Sequence, residues 1–133
     1  SIALPRARRR SPHPFPYDSR RSPPAPVLPV RVGAPGKETA TALLALVDSG
    51  ADLTVLPYGV PAALGLPAVA RLTVRGVVGS AQATVYAAAV EVAGRQRIVE
   101  VVALGAEALL GRNVLNVLVL TLDGPRQSLG VES

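Results

Sequence analysis

The sequence predicts an all-β fold from its apolar composition and from the spacing of its turns. Of the 133 residues, 49% are apolar, carried by Val, Leu and Ala, with one Phe and no Trp. Dense Val is typical of strands, because branched side chains pack well on a pleated surface. From residue 68 onward, short apolar segments are separated by turn-forming pairs such as Ala93-Gly94 and Asp123-Gly124. We therefore expect strands joined by tight hairpins over most of the chain.

The N-terminal segment differs from the rest of the chain in composition. Residues 1–32 hold seven Arg and one Asp, a net charge of +6, together with eight of the 13 prolines. Residues 33–133 hold six Arg and one Lys against eight acidic residues, a net charge of −1. A Pro- and Arg-rich segment buries little apolar surface, so residues 1–26 are predicted to form a flexible, extended or disordered arm. Residues 27–133 are predicted to form the folded domain.

The arginines of this arm suggest two interpretations. As a cationic cluster they are typical of a phosphate-binding tail. Aromatic side chains for base stacking are limited to Phe15 and Tyr17, however, and no nucleic-acid-binding motif accompanies them. We therefore favour a soluble linker or the remainder of a longer precursor, and nucleic acid is not the expected partner. The arginines in question are Arg6, Arg8, Arg9, Arg10, Arg20 and Arg21.

The first half of the domain contains one ambiguous segment. Residues 27–32 alternate in character and predict an edge strand, a position where Pro29 is tolerated. Residues 39–47 are compatible with a helix because of their Ala and Leu, yet their length and flanking turns also suit a buried strand. Residues 57–66 predict a loop with one helical turn at residues 61–64, closed by Gly65.

The second half is predicted to consist of hairpins. Strand character begins at residue 68 and leads to a glycine-bracketed tip at residues 76–80. Residues 114–117 are compatible with one or two helical turns. The further predicted strands are residues 83–92, 97–104, 109–110, 119–122 and 128–131.

Composition excludes several classes of catalytic site. There is no Cys, and His13, the single His, lies in the arm. These facts exclude Cys nucleophiles, thiolate metal sites, Ser-His-Asp catalysis and His-based zinc sites, so no metal or cofactor is expected. The start of the chain has no uninterrupted apolar segment of signal-peptide type. The longest uncharged run, residues 53–70, contains three prolines, so no membrane contact and a cytoplasmic location are expected.

One carboxylate occupies a special position in the sequence. In the stretch LLALVDSGADLTVLP, residues 43–57, Asp48 stands in a polar turn between two apolar runs. A buried unpaired charge is costly, and the neighbouring Ser49 and Gly50 favour a hydrogen-bonded tight turn that would satisfy it. Two carboxylates that face each other share a proton, so one can accept a proton from water while the other donates one to a carbonyl. Since the domain has one Asp in such a context, a pair requires a second copy of the chain across a two-fold axis.

Three segments, in order, resemble the retropepsin-like aspartic proteases. Residues 46–55, Leu-Val-Asp-Ser-Gly-Ala-Asp-Leu-Thr-Val, resemble the family's active-site segment, Asp-Thr/Ser-Gly-Ala. Residues 109–115, Leu-Leu-Gly-Arg-Asn-Val-Leu, resemble its second motif, and residues 75–80 are similar to its glycine-rich flap tip. Asp-Ser-Gly alone occurs often by chance. The ordered set is far more specific, and with the intervening strands it spans roughly residues 27–131, most of the chain beyond the arm.

The resemblance implies a fold and an activity. The fold would be a closed, barrel-like β subunit with a flap hairpin and one short helix near the C-terminus, acting as a two-fold homodimer. The ambiguous residues 42–47 would then be a strand. The activity would be that of an aspartic endopeptidase, which hydrolyses peptide or protein substrates through a bound water without metal or cofactor. Self-processing of the arm near Phe15-Pro16-Tyr17 or Val27-Leu28-Pro29 is a further expectation.

The resemblance also implies roles for the matching residues. Asp48, paired with the partner's Asp48, would activate the lytic water and protonate the scissile amide. Ser49 would donate a hydrogen bond across the dyad, and Gly50 would let backbone amides support the carboxylates. Arg112 would pair with Asp52 and hold the loop against the short helix, where Asn113 is a further supporting residue. Substrate contacts are expected from Ala51, Asp52, Gly76, Val77, Val78, Gly79 and Ser80.

Three features depart from the viral members of the family. Ser49 replaces the commoner Thr; it can make the same hydrogen bond but is less restricted in χ1. The chain continues beyond the short helix through a hairpin at residues 119–131, which suggests a dimer sheet built mainly from C-terminal strands. The flap lacks an aromatic residue near its tip, so substrate preference does not transfer from the family.

A second function class is consistent with the same residues. The chain could be a non-catalytic dimerisation or peptide-binding module of the same fold, with the Arg-rich arm holding nucleic acid. Asp48 would then be a turn former, as many residues beside Gly are, and Asp52 and Arg112 would form an ordinary surface ion pair. Hydrolysis of peptides distinguishes the two classes.

Overall fold

The computed structural model describes residues 13–132 and shows a mostly β protein, with 56% strand and 8% helix. The strands are β1 (His13–Pro16), β2 (Val27–Gly33), β3 (Thr41–Val47), β4 (Thr54–Leu56), β5 (Ala68–Gly76), β6 (Gly79–Val92), β7 (Arg95–Ala103), β8 (Ala108–Leu110), β9 (Val119–Asp123) and β10 (Ser128–Glu132). The helices are α1 (Val60–Leu64) and α2 (Arg112–Leu115).

Six of the strands close into a barrel. Their order is β2-β3-β8-β4-β7-β6, and β6 pairs back onto β2. β5 extends the sheet from β6 as the outer strand of a hairpin. The pairs β3–β8 and β4–β7 are parallel, whereas the other pairs of this sheet are antiparallel. The predicted all-β class and barrel-like closure are therefore confirmed.

The ambiguous segment forms a strand, β3, as the family resemblance implies. It pairs with β2 on one side and β8 on the other, so both of its neighbours hydrogen-bond its backbone. Ala and Leu would also suit a helix, but here the two flanking strands decide the conformation. This placement brings the end of β3, at Val47, beside Leu110 at the end of β8.

The barrel interior is filled by aliphatic side chains. Burial of this kind contributes about 25 cal/mol per Å² of apolar surface removed from water, and it is the main stabilising term available to a chain with so few aromatics. The largest fully buried side chains are Leu28, Leu56, Leu110, Leu129, Val32, Val90 and Val101.

A second, three-stranded sheet has the order β1-β10-β9. Its strand β1 lies within the segment predicted as a free arm, and that prediction is wrong for residues 13–26. β1 is extended, but it pairs with β10, and Phe15 and Tyr17 pack against the main core. The two aromatics bury enough surface to hold a Pro-rich segment that composition alone assigns to solvent. The arginines at positions 6, 8, 9 and 10 lie outside the described residues.

Two further predictions concern strand β2 and the helical turn at residues 61–64. β2 is part of the closed barrel rather than an edge strand, because it pairs with both β3 and β6. The β6 pairing covers Val30 to Gly33, so the missing N–H of Pro29 leaves that ladder intact. The predicted helical turn at residues 61–64 is confirmed as α1, so the described residues contain two short helices. Neither helix is long and apolar enough to cross a membrane.

Candidate active site

Asp48 is placed by the ends of two parallel strands. β3 ends at Val47, and the Asp48 backbone N–H donates to the Leu110 carbonyl, 3.0 Å away, at the end of β8. The last residue of β3 is held as well, because Val47 N–H donates to the Pro26 carbonyl at 3.0 Å. The carboxylate is therefore delivered from a hydrogen-bonded strand end and is partly buried.

The loop after Asp48 is a tight, internally hydrogen-bonded turn. Asp48 Oδ1 accepts a hydrogen bond of 3.0 Å from Gly50 N–H, and its carbonyl accepts one of 3.2 Å from Ala51 N–H. An Asp side chain that bonds the backbone two residues onward is a typical turn-forming arrangement. Ser49 and Gly50 are exposed at the crest of this turn. The prediction of one carboxylate in a hydrogen-bonded tight turn is confirmed.

Helix α2 binds residues 49–52 of the loop through hydrogen bonds, and these contacts are called the clamp below. Arg112 N–H donates to the Ala51 carbonyl at 2.8 Å, and Asn113 N–H donates to the Asp52 carbonyl at 3.3 Å. The Arg112 guanidinium donates to the Ser49 carbonyl at 2.7 Å and also pairs with the Asp52 carboxylate. The predicted Asp52–Arg112 contact is therefore confirmed.

The ion pair within this clamp is exposed. The Asp52 and Arg112 side chains are 82% and 43% accessible, so solvent screens their attraction to at most about 1 kcal/mol. Three other hydrogen bonds join residues 49–52 to α2, and each of them is accepted by a backbone carbonyl of the loop. These three bonds fix the path of the loop. Arg112 therefore contacts the loop through the Ser49 carbonyl as well as through the exposed ion pair.

Thr54 is a supporting residue that sequence reasoning missed. Its side chain is 2% exposed; its hydroxyl donates to Asn113 Oδ1 at 2.9 Å and accepts from Gly111 N–H at 3.2 Å. Asn113 completes the link by donating from Nδ2 to the Glu100 carbonyl at 2.7 Å. The signal was available, since a hydroxyl inside the apolar run of residues 53–56 needs a buried partner.

Gly111 allows the two halves of the site to approach each other. A Cβ at this position would collide with the Leu53 carbonyl and would lie 3.0 Å from Thr54 N. The Gly of the second motif is therefore required by close packing of the backbone before α2 against β4. The motif thus acts as a structural unit: Gly111 permits contact, and the next two residues bind the loop.

The flap prediction corresponds to the β5–β6 hairpin. Gly76 pairs with Gly79, which leaves Val77 and Val78 as a two-residue turn with fully exposed side chains. Gly79 has a φ of +132°, a conformation that residues with a Cβ rarely adopt. Ser80 follows on β6 opposite Arg75. The structure therefore confirms a projecting glycine-bracketed hairpin, while its contact with substrate stays a prediction.

A small apolar cluster and an adjacent cavity lie on the β4 and β8 strands, and neither was predicted. Val55, Val85 and Val102 form a small cluster on the outer side of the barrel, with Leu53 and Leu109 packed against it. Next to this cluster lies an open cavity of about 270 Å³. It is lined by Val55, Leu104, Gly105, Ala106, Glu107 and Leu109.

A single chain brings together part of the predicted site. Asp48, Asp52, Arg112 and Asn113 lie in one hydrogen-bonded unit, whereas the flap residues lie on a separate hairpin. The predicted contacts of Ser49 and Asp48 with a second copy stay predictions. No protein-family model matches this chain, and no curated protein matches it significantly.

Proposed function

We propose that the protein is a homodimeric, retropepsin-like aspartic endopeptidase. The observation that carries this proposal is the Asp48 loop, in which one carboxylate is fixed by the β3–β8 strand ends and by α2. A turn former needs no such support from a helix 60 residues away in sequence. Preorganised placement of a reacting group is what acid–base catalysis requires.

In this proposal two copies of Asp48 share one proton across the dimer axis. The ionised carboxylate accepts a proton from a bound water as its oxygen attacks the scissile carbonyl carbon. The protonated carboxylate donates to the carbonyl oxygen, which gives a tetrahedral gem-diol. Proton transfer to the amide nitrogen then lets the C–N bond break and regenerates the shared proton. No metal or covalent intermediate takes part.

The smaller sheet supports a dimer through its outer edge. In the described residues β9 pairs with β10 alone, and it exposes Val119 and Leu122. The opposite edge, β1, carries Pro14 and Pro16, which lack the N–H groups that a further strand would need. We therefore propose that the second copy adds at β9. This fits the expectation of a dimer sheet made mainly of C-terminal strands, with β1 as an additional strand at each outer edge.

The proposed self-processing sites are protected in the folded chain. Phe15 and Pro16 are paired in β1, and Val27 and Leu28 are buried in β2. A protease of this type binds its substrate as an extended, accessible strand. Cleavage at either place would therefore act on a chain whose N-terminal strand has opened. Incubating the purified chain and sequencing its new N-terminus tests this.

The deciding experiment is a cleavage profile on a peptide library with wild-type protein and the Asp48→Asn variant. We expect the wild type to cleave at micromolar concentration within about pH 3 to 7, the range over which a shared-proton pair operates. Asp48→Asn should abolish cleavage while sedimentation still shows a dimer.

Two outcomes would overturn the proposal: a wild-type chain that cleaves no peptide across this range, or one that stays monomeric at all concentrations. Binding of peptides without hydrolysis would instead favour the non-catalytic module. Salt-dependent binding of a polyanion, lost on removal of residues 1–12, would add the nucleic-acid role of that alternative.

A further inference from the structure

The cavity of about 270 Å³ is lined in part by Val55 of β4 and Leu109 of β8. Its lining residue Leu109 is the direct partner of Leu46 on β3, two positions before Asp48. Asp48 follows the end of β3, but its N–H continues the β3–β8 hydrogen bonds by donating to the Leu110 carbonyl. The alternation of side chains along a strand therefore places Leu46, Leu109 and Asp48 on the same face. A peptide held at Asp48 would therefore place one of its side chains toward this cavity.

Glu107 is the one ionisable residue in the lining of this cavity, and it also lines a second cavity beside it. The second cavity has a volume of about 180 Å³, and Asp18, Arg20 and Arg21 are found there. Arg21 Nη1 lies 2.9 Å from Glu107 Oε1 and so neutralises the carboxylate from that second side. The remaining wall of the larger cavity is aliphatic or backbone.

A short hook, residues 17–26, presents Arg21 in this position. Its two ends are joined by Asp18 N–H donating to the Ala25 carbonyl at 2.8 Å. The Asp18 carboxylate is nine-tenths buried; it accepts hydrogen bonds from Arg20 and lies 3.5 Å from Arg21 Nε. The hook is bound to the barrel at Pro26, whose carbonyl accepts from Val47 N–H. Arg21 is therefore fixed relative to the residue that precedes Asp48.

We propose that Arg21 is a specificity-determining residue, which keeps this cavity selective for aliphatic substrate side chains by neutralising Glu107. The proposal rests on the proposed peptide-binding site at Asp48. With the ion pair formed, the cavity offers branched aliphatic walls to an apolar side chain. Without Arg21, the Glu107 carboxylate is left unbalanced at the rim and attracts a Lys or Arg side chain of the substrate.

The test measures binding of Asp48→Asn protein to an immobilised peptide library, so that hydrolysis is not needed for a readout. We expect Arg21→Gln to raise the relative binding of peptides with Lys or Arg at one position by about fivefold, the upper range for a partly exposed ion pair. Adding Glu107→Gln should remove this shift, and Arg21→Lys should keep the original profile. A general loss of structure would lower the binding of all peptides and would not be reversed by adding Glu107→Gln.

Arg20→Gln is the matched control, because Arg20 binds Asp18 in the same hook but does not contact Glu107. It should leave the profile unchanged. If Arg21→Gln fails to fold, as judged by circular dichroism, Glu107→Lys provides a second variant and should shift preference toward Asp and Glu.

Three results would overturn the inference: the same shift in the Arg20 and Arg21 variants, no shift from any variant, or no library peptide bound at all. Cleavage by protein with Asp48 intact is scored separately. Its absence rejects the proposed endopeptidase, while a profile shift in the binding assay would still support the role of Arg21.

Discussion

The Asp48 loop and the flap tip are both short turns rich in Gly and Ser, yet they are held in opposite ways. Residues 48–52 are bound to β8 and α2 by hydrogen bonds across the fold. Val77 and Val78 are attached through the β5–β6 ladder, and their side chains are fully exposed. The first turn is thus held by contacts across the fold, whereas the second, among the described residues, is held only through its own hairpin. Substitutions should therefore affect stability at the loop and ligand binding at the flap.

The largest expected effect is on the loop side, for Gly111→Ala. The added Cβ would collide with the Leu53 carbonyl, so β4 and the start of α2 would have to separate. We expect the free energy of unfolding to fall by about 3 kcal/mol, as for severe overpacking. Urea denaturation measures this, with Gly124→Ala as the control, since a Cβ there meets nothing within 4 Å. Equal stability of the two variants would show that the loop is not clamped as described.

Thr54→Val should have the next largest effect. Valine keeps the shape but removes the hydroxyl, which leaves Gly111 N–H and Asn113 Oδ1 without this partner. Leaving buried polar groups unsatisfied costs about 1–3 kcal/mol, measurable by thermal or urea unfolding. Thr54→Ser retains the hydroxyl and should lose clearly less. A Val variant more stable than the Ser variant would contradict the proposed role of this hydroxyl.

Asp52→Asn separates the ion pair of the clamp from its backbone bonds. Because both charged groups are exposed, the change should cost at most about 1 kcal/mol, and high salt should reduce the difference from wild type. Arg112→Lys keeps the charge but loses the fork that reaches both Ser49 and Asp52, so it should be the more damaging. Measuring the proposed peptide cleavage beside stability would show which contact positions the loop.

Substitution at the flap tip should leave stability almost unchanged and weaken peptide binding instead. Val78→Ser changes a side chain that makes no buried contact, so stability should stay within about 0.5 kcal/mol of wild type. If the tip closes over peptide, KM should rise several-fold at the same time, which a peptide titration measures. Gly79→Ala strains a residue at φ +132° and serves as the stability-sensitive comparison on the same hairpin. An unchanged KM in Val78→Ser would remove the tip from the substrate site.

The smallest expected effect is the contribution of Asp18 in the hook to the stability of the fold, which is detected by its loss at low pH. Hydrogen bonds from the Arg20 side chain, and then from its backbone N–H, lower the pKa of Asp18 below its usual 3.8. A carboxylate with a lowered pKa stabilises the fold above pH 3.8, and this contribution is lost as the pH falls through the lowered value. Unfolding curves of wild type and Asp18→Asn should therefore differ at neutral pH and converge in acid. A gap that persists at low pH would assign the effect to packing instead.

The sequence predicted most hairpins well because they depend on short-range signals, and it predicted the loop contact because two motifs resemble those of a known family. Turn residues and Val-rich strands are local, and the Asp52–Arg112 pair followed from two recognisable motifs. The hook was missed because its order depends on Phe15 and Tyr17 reaching a core built from later strands. The role of Thr54 was missed because a single hydroxyl in an apolar run indicates that it has a hydrogen-bond partner but does not identify that partner.

The separation of the clamp contacts along the chain also sets when the loop can become ordered. The side-chain hydrogen bonds that join Ser49, Asp52 and Thr54 to residues 111–113 span 57 to 63 positions. Contacts of such long sequence separation form only after the intervening chain has been closed into a loop, which costs entropy and slows folding. During synthesis, Asp48 emerges more than sixty residues before its last clamp residue. A nascent or truncated chain thus carries the carboxylate without its geometry, and any hydrolytic capacity would be delayed until the barrel is complete.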